Sequence, residues 1–131
     1  MKKTILLNAE LSHAIATLGH TDMLVVCDAG LPIPSETWRI DLALTRGIPG
    51  AVETARVILQ ELKVEKAIFA EEVKQRNPEF LADIQEMLPG VSFEFVPHAQ
   101  FKDLTHEARA VVRTGEFSPF ANVIFCSGVV F

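Results

Sequence analysis

The sequence predicts an α/β fold in three layers, with a largely parallel or mixed central sheet flanked by helices. Short apolar, valine-rich runs typical of buried strands alternate along the chain with segments of helical periodicity. Gly- and Pro-containing stretches separate these segments and mark loops. The 131 residues contain no internal repeat, low-complexity tract or linker. Residues 1–131 are therefore expected to form a single domain.

The first third of the chain predicts a helix followed by two strands. Asn8 is a suitable helix N-cap, and the apolar residues at 11, 15 and 18 recur on one helical face until Gly19 ends it. Residues 23–27 form an apolar run that predicts a buried strand ending at Asp28. After a Pro- and Gly-rich loop, residues 38–44 predict a second strand.

The rest of the chain continues the alternation. An amphipathic helix is expected around residues 52–62, a buried strand at 67–70, and a helix that begins at Asn77-Pro78-Glu79. Residues 91–95 alternate between apolar and polar, which predicts a half-exposed strand near a sheet edge. A short helix at about 99–105 and strands at 110–112 and 122–125 complete the prediction.

Composition excludes several classes of protein. Hydrophobic residues make up 49% of the chain and the net charge is only -5, which argues against disorder. Seventeen acidic residues outnumber twelve basic ones, so no basic surface for nucleic acid is expected. No segment is long and apolar enough to cross a membrane. Cys27 and Cys126 lie in apolar runs without metal-ligand spacing, which predicts buried thiols in a reducing cytoplasm.

Several ionisable residues directly follow predicted strands. In α/β sheets, ligands bind beyond the carboxyl ends of the strands. Asp28, Glu71-Glu72, His98 and Arg113 are therefore expected along one edge of the sheet. Asp28 is an unusual choice for packing, and it could cap the following loop or orient a histidine.

Four histidines could transfer protons near neutral pH: His13, His20, His98 and His106. His20 follows the first helix, where an interaction with the helix dipole is the simpler explanation. His98 is expected in a surface loop, and His106 in solvent. Two histidines with an aspartate could form an acid–base pair with an orienting carboxylate. The chain has no His-x-His or His-x-x-x-His spacing, so no metal site is expected.

The segment from Arg113 to Asn122 has two interpretations. Arg113-Thr114-Gly115-Glu116 could be a surface turn with a local ion pair, which contributes little stability. The aromatic ring of Phe120 and the amide of Asn122 could instead stack on and hydrogen-bond a small polar ligand. Neither GxGxxG nor GxxxxGK[ST] occurs, so no nucleotide cofactor is predicted.

Taken together, these segments resemble the D-ribose pyranase family, which is related to the fucose mutarotases. The resemblance runs almost from end to end of the chain. It rests on the order and spacing of Leu18-Gly-His20-Thr-Asp22, Asp28-Ala-Gly-Leu-Pro-Ile-Pro34, Arg39-Ile-Asp-Leu42, His98 with Phe101-Lys102, and Arg113-Thr-Gly-Glu-Phe-Ser-Pro-Phe-Ala-Asn122.

The resemblance implies a cofactor-free isomerase that interconverts the pyranose and furanose forms of D-ribose in ribose catabolism. It also implies rings of subunits that stack into octamers or decamers. Of the site residues, His20 would be the proton donor and Asp28 and His98 would bind the sugar. The segment Phe120, Ala121 and Asn122 would line the site, and Lys102 would approach a hydroxyl.

One residue departs from the family pattern. The family usually has tyrosine where this chain has Phe120, and the chain contains no tyrosine. Phenylalanine packs against a sugar but cannot make the phenolic hydrogen bond. Two alternatives to the ribose isomerase therefore remain: a mutarotase for another aldose such as fucose, and a non-catalytic sugar-binding subunit.

Overall fold

The computed structural model describes all residues from Met1 to Phe131. Strands and helices alternate as the sequence predicts. In chain order the elements are α1 Ala9–Thr17, β1 Met23–Cys27, β2 Trp38–Asp41, α2 Ala51–Ile58, β3 Val64–Ala70, α3 Val73–Arg76, α4 Pro78–Glu86, β4 Ser92–Val96, α5 His98–Leu104, a 3-10 helix at Thr105–Glu107, β5 Ala110–Arg113 and β6 Val123–Ser127.

The six strands form one mixed sheet in the order β2-β5-β1-β6-β3-β4. β5 pairs in parallel with β1 and β2, and β3 pairs in parallel with β4. β6 is inserted between β1 and β3 and runs antiparallel to both. Five strands therefore point one way and β6 points the other. The expected edge strand is confirmed, because β4 lies at one end of the sheet.

Helices cover both faces of the sheet, so the three-layer prediction is confirmed. On one face, Leu24 and Val26 of β1 belong to the larger core together with residues of α1, α2 and α4. On the other face, Val25 and Cys27 belong to a smaller core that includes Phe101 of α5. This division follows from the two-residue period of a strand, which sends successive side chains to opposite faces.

Asparagine side chains cap two helices as predicted. The side-chain oxygen of Asn8 accepts a hydrogen bond from the backbone N–H of Leu11 at 2.8 Å, which starts α1. The side-chain oxygen of Asn77 accepts from the N–H of Phe80 at 3.2 Å, with Pro78 in the first turn of α4. Each cap satisfies an N–H that the helix itself leaves without a partner.

The second strand is shorter than predicted, because it ends at Asp41 rather than at residue 44. The side chain of Asp41 accepts a hydrogen bond from the N–H of Ala43 at 3.1 Å and turns the chain out of the sheet. Leu44 is consequently exposed, and its N–H donates to the carbonyl of Ile48 at 3.0 Å. The four-residue helix α3 was not predicted, since so short a segment shows no periodicity.

Both cysteines are buried and unpaired, as predicted. Burial, reinforced by the negative charge of Asp28, raises the pKa of the Cys27 thiol to about 12. Burial also raises the pKa of Cys126. These thiols are therefore packing residues rather than nucleophiles. None of the helices has both the length and the apolar content needed to traverse a bilayer.

Candidate active site

The polar side chains expected along one edge of the sheet, at the carboxyl ends of the parallel strands, do lie there. Asp28 follows β1, and Arg113 ends β5 in register with Cys27. Glu72 and His98 follow the paired ends of β3 and β4, where Ala70 aligns with Val96. Because β6 is antiparallel, its first residues lie at the carboxyl ends of its neighbours, β1 and β3. Asn122, immediately before β6, is brought to the same edge in this way.

Asn122 and Asp28 are joined by two hydrogen bonds at this edge. The side-chain oxygen of Asn122 accepts the backbone N–H of Asp28 at 2.9 Å. Its side-chain nitrogen donates to Oδ2 of Asp28 at 3.0 Å. The other carboxylate oxygen of Asp28 accepts the N–H of Gly30 at 2.9 Å. Asn122 is almost completely buried. The orientation of the Asp28 carboxylate is therefore set by two separate parts of the chain.

Phe120 is held beside this pair in a left-handed backbone conformation, with φ at 54°. Few residues other than glycine adopt this conformation. The turn before it is pinned by Asn77, whose side-chain nitrogen donates to the hydroxyl of Ser118 and to the carbonyl of Pro119, both at 2.9 Å. Asn77 therefore both caps α4 and fixes the turn that precedes Phe120.

His98 is the first residue of α5 rather than a member of a surface loop, so that expectation was wrong. Its backbone N–H points to both carboxylate oxygens of Glu72, at 3.2 and 3.1 Å. Its ring stacks on Phe101 and meets the ring of Phe120 edge to face, with ring centroids 5.0 Å apart. Nδ1 of His98 is buried and has no hydrogen-bond partner. The side chain thus keeps an unused polar atom beside Phe120 and Phe101.

These side chains enclose a cavity of about 300 Å³, within the size range of small-molecule sites. It combines a carboxylate, an amide and an imidazole with apolar walls. Its lining residues are Asp28, Gly30, Leu31, Pro32, His98, Pro119, Phe120 and Asn122.

Three predicted site residues lie outside this lining, namely Ala121, Lys102 and His20. Ala121 is fully buried between Phe120 and Asn122 and contributes to the core rather than to the cavity wall. Lys102 is half-buried on α5, one helical turn after His98 on the same side of the helix.

A second cavity of about 360 Å³ adjoins the first and shares Asp28, Gly30 and Pro119 with it. Arg113 on its wall donates to both carboxylate oxygens of Asp41 at 3.1 Å and to the carbonyl of Ala29 at 3.2 Å. The predicted local ion pair within residues 113–116 is therefore wrong, since the partner of Arg113 lies on the neighbouring strand β2.

The side chain of Glu116 forms hydrogen bonds with backbone groups and not with Arg113. Its carboxylate accepts hydrogen bonds from the N–H groups of Ser118, Phe117 and Ala51, at 3.0, 3.2 and 3.3 Å. Although burial opposes ionisation, these hydrogen bonds, led by Ser118, hold the pKa of Glu116 below its usual value. Glu116 therefore organises the turn that leads to Phe120.

His20 lies at the amino-terminal end of β1, whereas Asp28 lies at its carboxyl-terminal end. It precedes β1, whereas Asp28 follows it, and a five-residue strand spans about 17 Å. Asp28 therefore cannot orient His20 within one chain. Nε2 of His20 instead meets Oε2 of Glu65, near the start of β3, at 2.9 Å. Glu65 was not identified from the sequence, because an exposed glutamate in a strand gives no signal of its own.

The other two histidines are also outside the cavity. His13 on α1 meets the ring of Trp38 edge to face, with centroids 5.8 Å apart. His106 is exposed, as expected, and pairs with Glu36. No group of three or more His, Cys, Asp or Glu side chains is arranged to hold a metal ion.

The α/β fold agrees with comparisons to known proteins. The model of the RbsD / FucU transport protein family matches residues 1–130. The D-ribose pyranase of Chloroflexus aggregans is 60% identical over 131 residues, covering 100% of both chains. That of Haemophilus influenzae is 53% identical over 139 residues, again covering 100% of both. The chain belongs to the RbsD / FucU family.

Solved structures agree with this membership. Bacillus subtilis RbsD complexed with D-ribose superposes with a TM-score of 0.97 at 45% identity, covering 100% of both chains. The Streptococcus pneumoniae fucose mutarotase complexed with L-fucose gives a TM-score of 0.81 at 24% identity, covering 95% of this chain and 94% of that one. The second likeness concerns the fold alone.

Proposed function

We propose that this chain is an isomerase that interconverts the pyranose and furanose forms of D-ribose. The observation that carries the proposal is the cavity that brings Asp28, Asn122, His98 and Phe120 together. Relatives at 60% and 53% identity over their whole length are D-ribose pyranases. The solved relative at 45% identity was crystallised with D-ribose. Residues 1–131 act as one domain built on a single sheet.

The reaction requires proton transfers and no net change in composition. A pyranose is a cyclic hemiacetal, so it must open to the aldehyde before it closes through a different hydroxyl. Opening protonates the ring oxygen and removes the proton of the anomeric hydroxyl, and closure reverses both transfers on the new ring. A histidine that titrates near neutral pH suits this chemistry, and each such group typically contributes about 10²–10⁴-fold.

Within the cavity, the carboxylate of Asp28 accepts a hydrogen bond from one sugar hydroxyl. The side-chain amide of Asn122 forms a hydrogen bond with another hydroxyl. The imidazole of His98, which lines the cavity, receives the anomeric proton or binds a hydroxyl. Phe120 packs against the apolar face of the sugar. Ala121 maintains the turn between Phe120 and Asn122. Lys102 reaches a hydroxyl from the next turn of α5.

His20 is the general acid and is supplied by a second copy of the chain. Within one chain it lies at the far edge of the sheet from the cavity, so the complete site requires two subunits. The apolar carboxyl terminus supports assembly, since Val130 and Phe131 are largely exposed in the single chain. We propose a ring-based homo-oligomer, an octamer or a decamer, that functions in the cytoplasm.

The activity is tested by NMR exchange spectroscopy of D-ribose with catalytic amounts of protein. The wild type is expected to accelerate pyranose–furanose exchange. His20→Ala is expected to lower that rate by about 10²–10⁴-fold. His13→Ala removes an exposed histidine on α1 and serves as the matched control. No acceleration by the wild type overturns the isomerase, and an active His20→Ala overturns the acid.

The shared site is tested by complementation between two inactive variants. Asp28→Asn disables the cavity and His20→Ala disables the acid, so each variant alone is expected to be inactive. When the two are co-expressed, mixed assemblies place an intact cavity beside an intact His20, and part of the activity returns. Mixed assemblies without activity would show that both residues act within one chain.

Phe120, which has no phenolic hydroxyl, keeps two alternatives open: a mutarotase for another aldose such as fucose, and a non-catalytic sugar-binding subunit. Exchange between the α- and β-anomers of fucose, measured with the same preparation, separates the mutarotase from the D-ribose isomerase. Faster catalysis on fucose than on D-ribose would favour the mutarotase. Saturation transfer to ribose without exchange would indicate a non-catalytic sugar-binding subunit.

A further inference from the structure

The imidazole of His20 has a single side-chain partner, the carboxylate of Glu65. Nε2 of His20 lies 2.9 Å from Oε2 of Glu65. An ionised carboxylate accepts hydrogen bonds and donates none, so Nε2 must carry a proton. Neutral His20 then has its free lone pair on Nδ1. The sequence does not show which ring nitrogen of His20 exchanges protons, whereas this contact leaves Nδ1 free to do so.

The turn that carries His20 is held rigidly. Thr21 adopts a left-handed conformation with φ at 69°, which is rare for a β-branched residue. Its N–H donates to the carbonyl of Ser127 at 2.9 Å. On the other side of His20, the N–H of Gly19 donates to Oδ2 of Asp22 at 2.9 Å. This backbone hydrogen bond is the main reason that the pKa of Asp22 is lowered.

Glu65 is in contact with Gly128, which directly follows Ser127 at the end of β6. The N–H of Gly128 donates to the carbonyl of Lys63 at 2.8 Å. A side chain at position 128 would place its Cβ 3.2 Å from Cβ of Glu65, closer than most real contacts. Ser127 therefore anchors the turn of His20 while Gly128 lies against Glu65. Two consecutive residues thus contact the two members of the pair, one through the His20 turn and the other through Glu65.

We propose that Glu65 is a positioning residue that keeps His20 in the Nε2–H form, so that Nδ1 is the nitrogen that exchanges protons with the sugar. The proposal rests on the proposed function of His20 as the general acid. Carboxylate–histidine pairs in other enzymes set the histidine tautomer in the same manner. Glu65 itself does not contact the sugar.

The proton balance is complete with these groups. Protonated His20 gives its Nδ1 proton to the ring oxygen as the bond from that oxygen to the anomeric carbon breaks. The anomeric hydroxyl loses its proton to a base, the role proposed for His98, and the electron pair of the O–H bond forms the aldehyde. His20 is left neutral, with Nε2–H still donating to Glu65. On closure the attacking hydroxyl returns its proton to Nδ1, and the protonated base gives its proton to the aldehyde oxygen, which becomes the new anomeric hydroxyl.

The kinetic test compares three variants with the wild type. Glu65→Gln allows both tautomers, because its amide can donate to Nε2 as well as accept from it. Its kcat is expected to fall by about 10- to 100-fold, less than the ~10⁴-fold known for a buried carboxylate of this type, because Glu65 is partly exposed. KM is expected to stay within about twofold, since Glu65 does not touch the sugar. Glu65→Asp is expected to restore part of kcat.

Glu36→Gln is the matched control, because Glu36 forms the other exposed histidine–glutamate pair, with His106. Its side chain is 60% exposed, against 43% for Glu65. Glu36→Gln is expected to leave kcat unchanged. A Glu65→Gln enzyme with wild-type kcat, or an equal loss in Glu36→Gln, would overturn the proposal.

The tautomer itself is tested by solid-state ¹⁵N NMR of histidine-labelled protein, with His20 assigned by its disappearance in His20→Ala. Neutral His20 is expected as Nε2–H alone in the wild type and as a mixture in Glu65→Gln. A wild-type signal for Nδ1–H would overturn the proposal even if the isomerase is active. If the wild type does not isomerise ribose, the proposed function fails, while the nitrogen spectrum still decides which nitrogen is protonated.

Discussion

Asn122 and Asp28 are 94 residues apart in the chain and exchange two hydrogen bonds that run in opposite directions. The amide oxygen accepts from the backbone of Asp28 while the amide nitrogen donates to its carboxylate. A carboxylate at Asn122 could not do both. The pair therefore requires an asparagine at this position.

Asn122→Asp tests this requirement. It replaces a donor by an acceptor and places a second negative charge against Asp28 in a buried position, so the protein should lose about 1–3 kcal/mol of stability and most of its activity. Urea unfolding at pH 7 measures the stability. Asn8→Asp is the matched control, because an aspartate caps a helix as well as an asparagine does. Equal effects of the two variants would contradict the interpretation.

Phe120→Tyr tests the departure from the family pattern. A hydroxyl beside His98 offers the sugar one further hydrogen bond, with a net contribution of about 0.5–1.5 kcal/mol, so KM for D-ribose should fall about two- to tenfold. Phe117→Tyr, on the same turn but with its ring against Arg46, adds a hydroxyl away from His98 and is the control. An unchanged KM in Phe120→Tyr would mean that the ring edge does not face the sugar.

Glu116 gives the protein a defined pH dependence. Its pKa is lower in the folded than in the unfolded protein, so it contributes stability above the unfolded value of about 4.3 and loses that contribution as pH falls through the folded pKa. The difference in unfolding free energy between wild type and Glu116→Gln should therefore be largest near pH 7 and shrink below about pH 5. Urea unfolding across that range measures it.

Glu79→Gln, on the exposed first turn of α4, is the control for Glu116→Gln. No backbone amide donates to the Glu79 carboxylate, so this variant removes a glutamate without removing the hydrogen bonds that are tested at Glu116. A Glu116→Gln difference that stayed constant from pH 7 to pH 4 would show that the hydrogen bonds to Ser118 and Phe117 do not favour the ionised carboxylate.

Gly115 is predicted to tolerate no side chain. A Cβ there would lie 2.4 Å from the carbonyl oxygen of Thr45 and 2.6 Å from that of Ile48, which are backbone atoms. Gly115→Ala should therefore cost about 3 kcal/mol or more in unfolding free energy. Gly90, unlike Gly115, has a positive φ of 75°, and a Cβ there would meet no atom within 4 Å, so Gly90→Ala should cost only about 1 kcal/mol. Similar losses in both would exclude the steric explanation.

Local features of the fold were predictable because they depend on residues close in the chain. The apolar run that became β1 was predicted with its bounds at residues 23 and 27, and the caps Asn8 and Asn77 act as expected. The alternation in residues 91–95 identified an edge strand. The end of β2 was missed, because the hydrogen bond from Ala43 to Asp41 overrides an apolar sequence that continues to residue 44.

Within the candidate site, the sequence determined the residue types and the tertiary structure decided which of them meet. The positions of Asp28 and His98 after their strands were predictable from the order of elements. Periodicity does not reveal strand direction, so only the folded sheet shows that antiparallel β6 brings Asn122 to Asp28. His20 and Asp28 lie at opposite ends of β1 because of their order in the chain, but only the sheet order β1-β6-β3 brings His20 against Glu65. Contacts across 94 and 45 residues depend on the packing of the whole sheet rather than on any local preference.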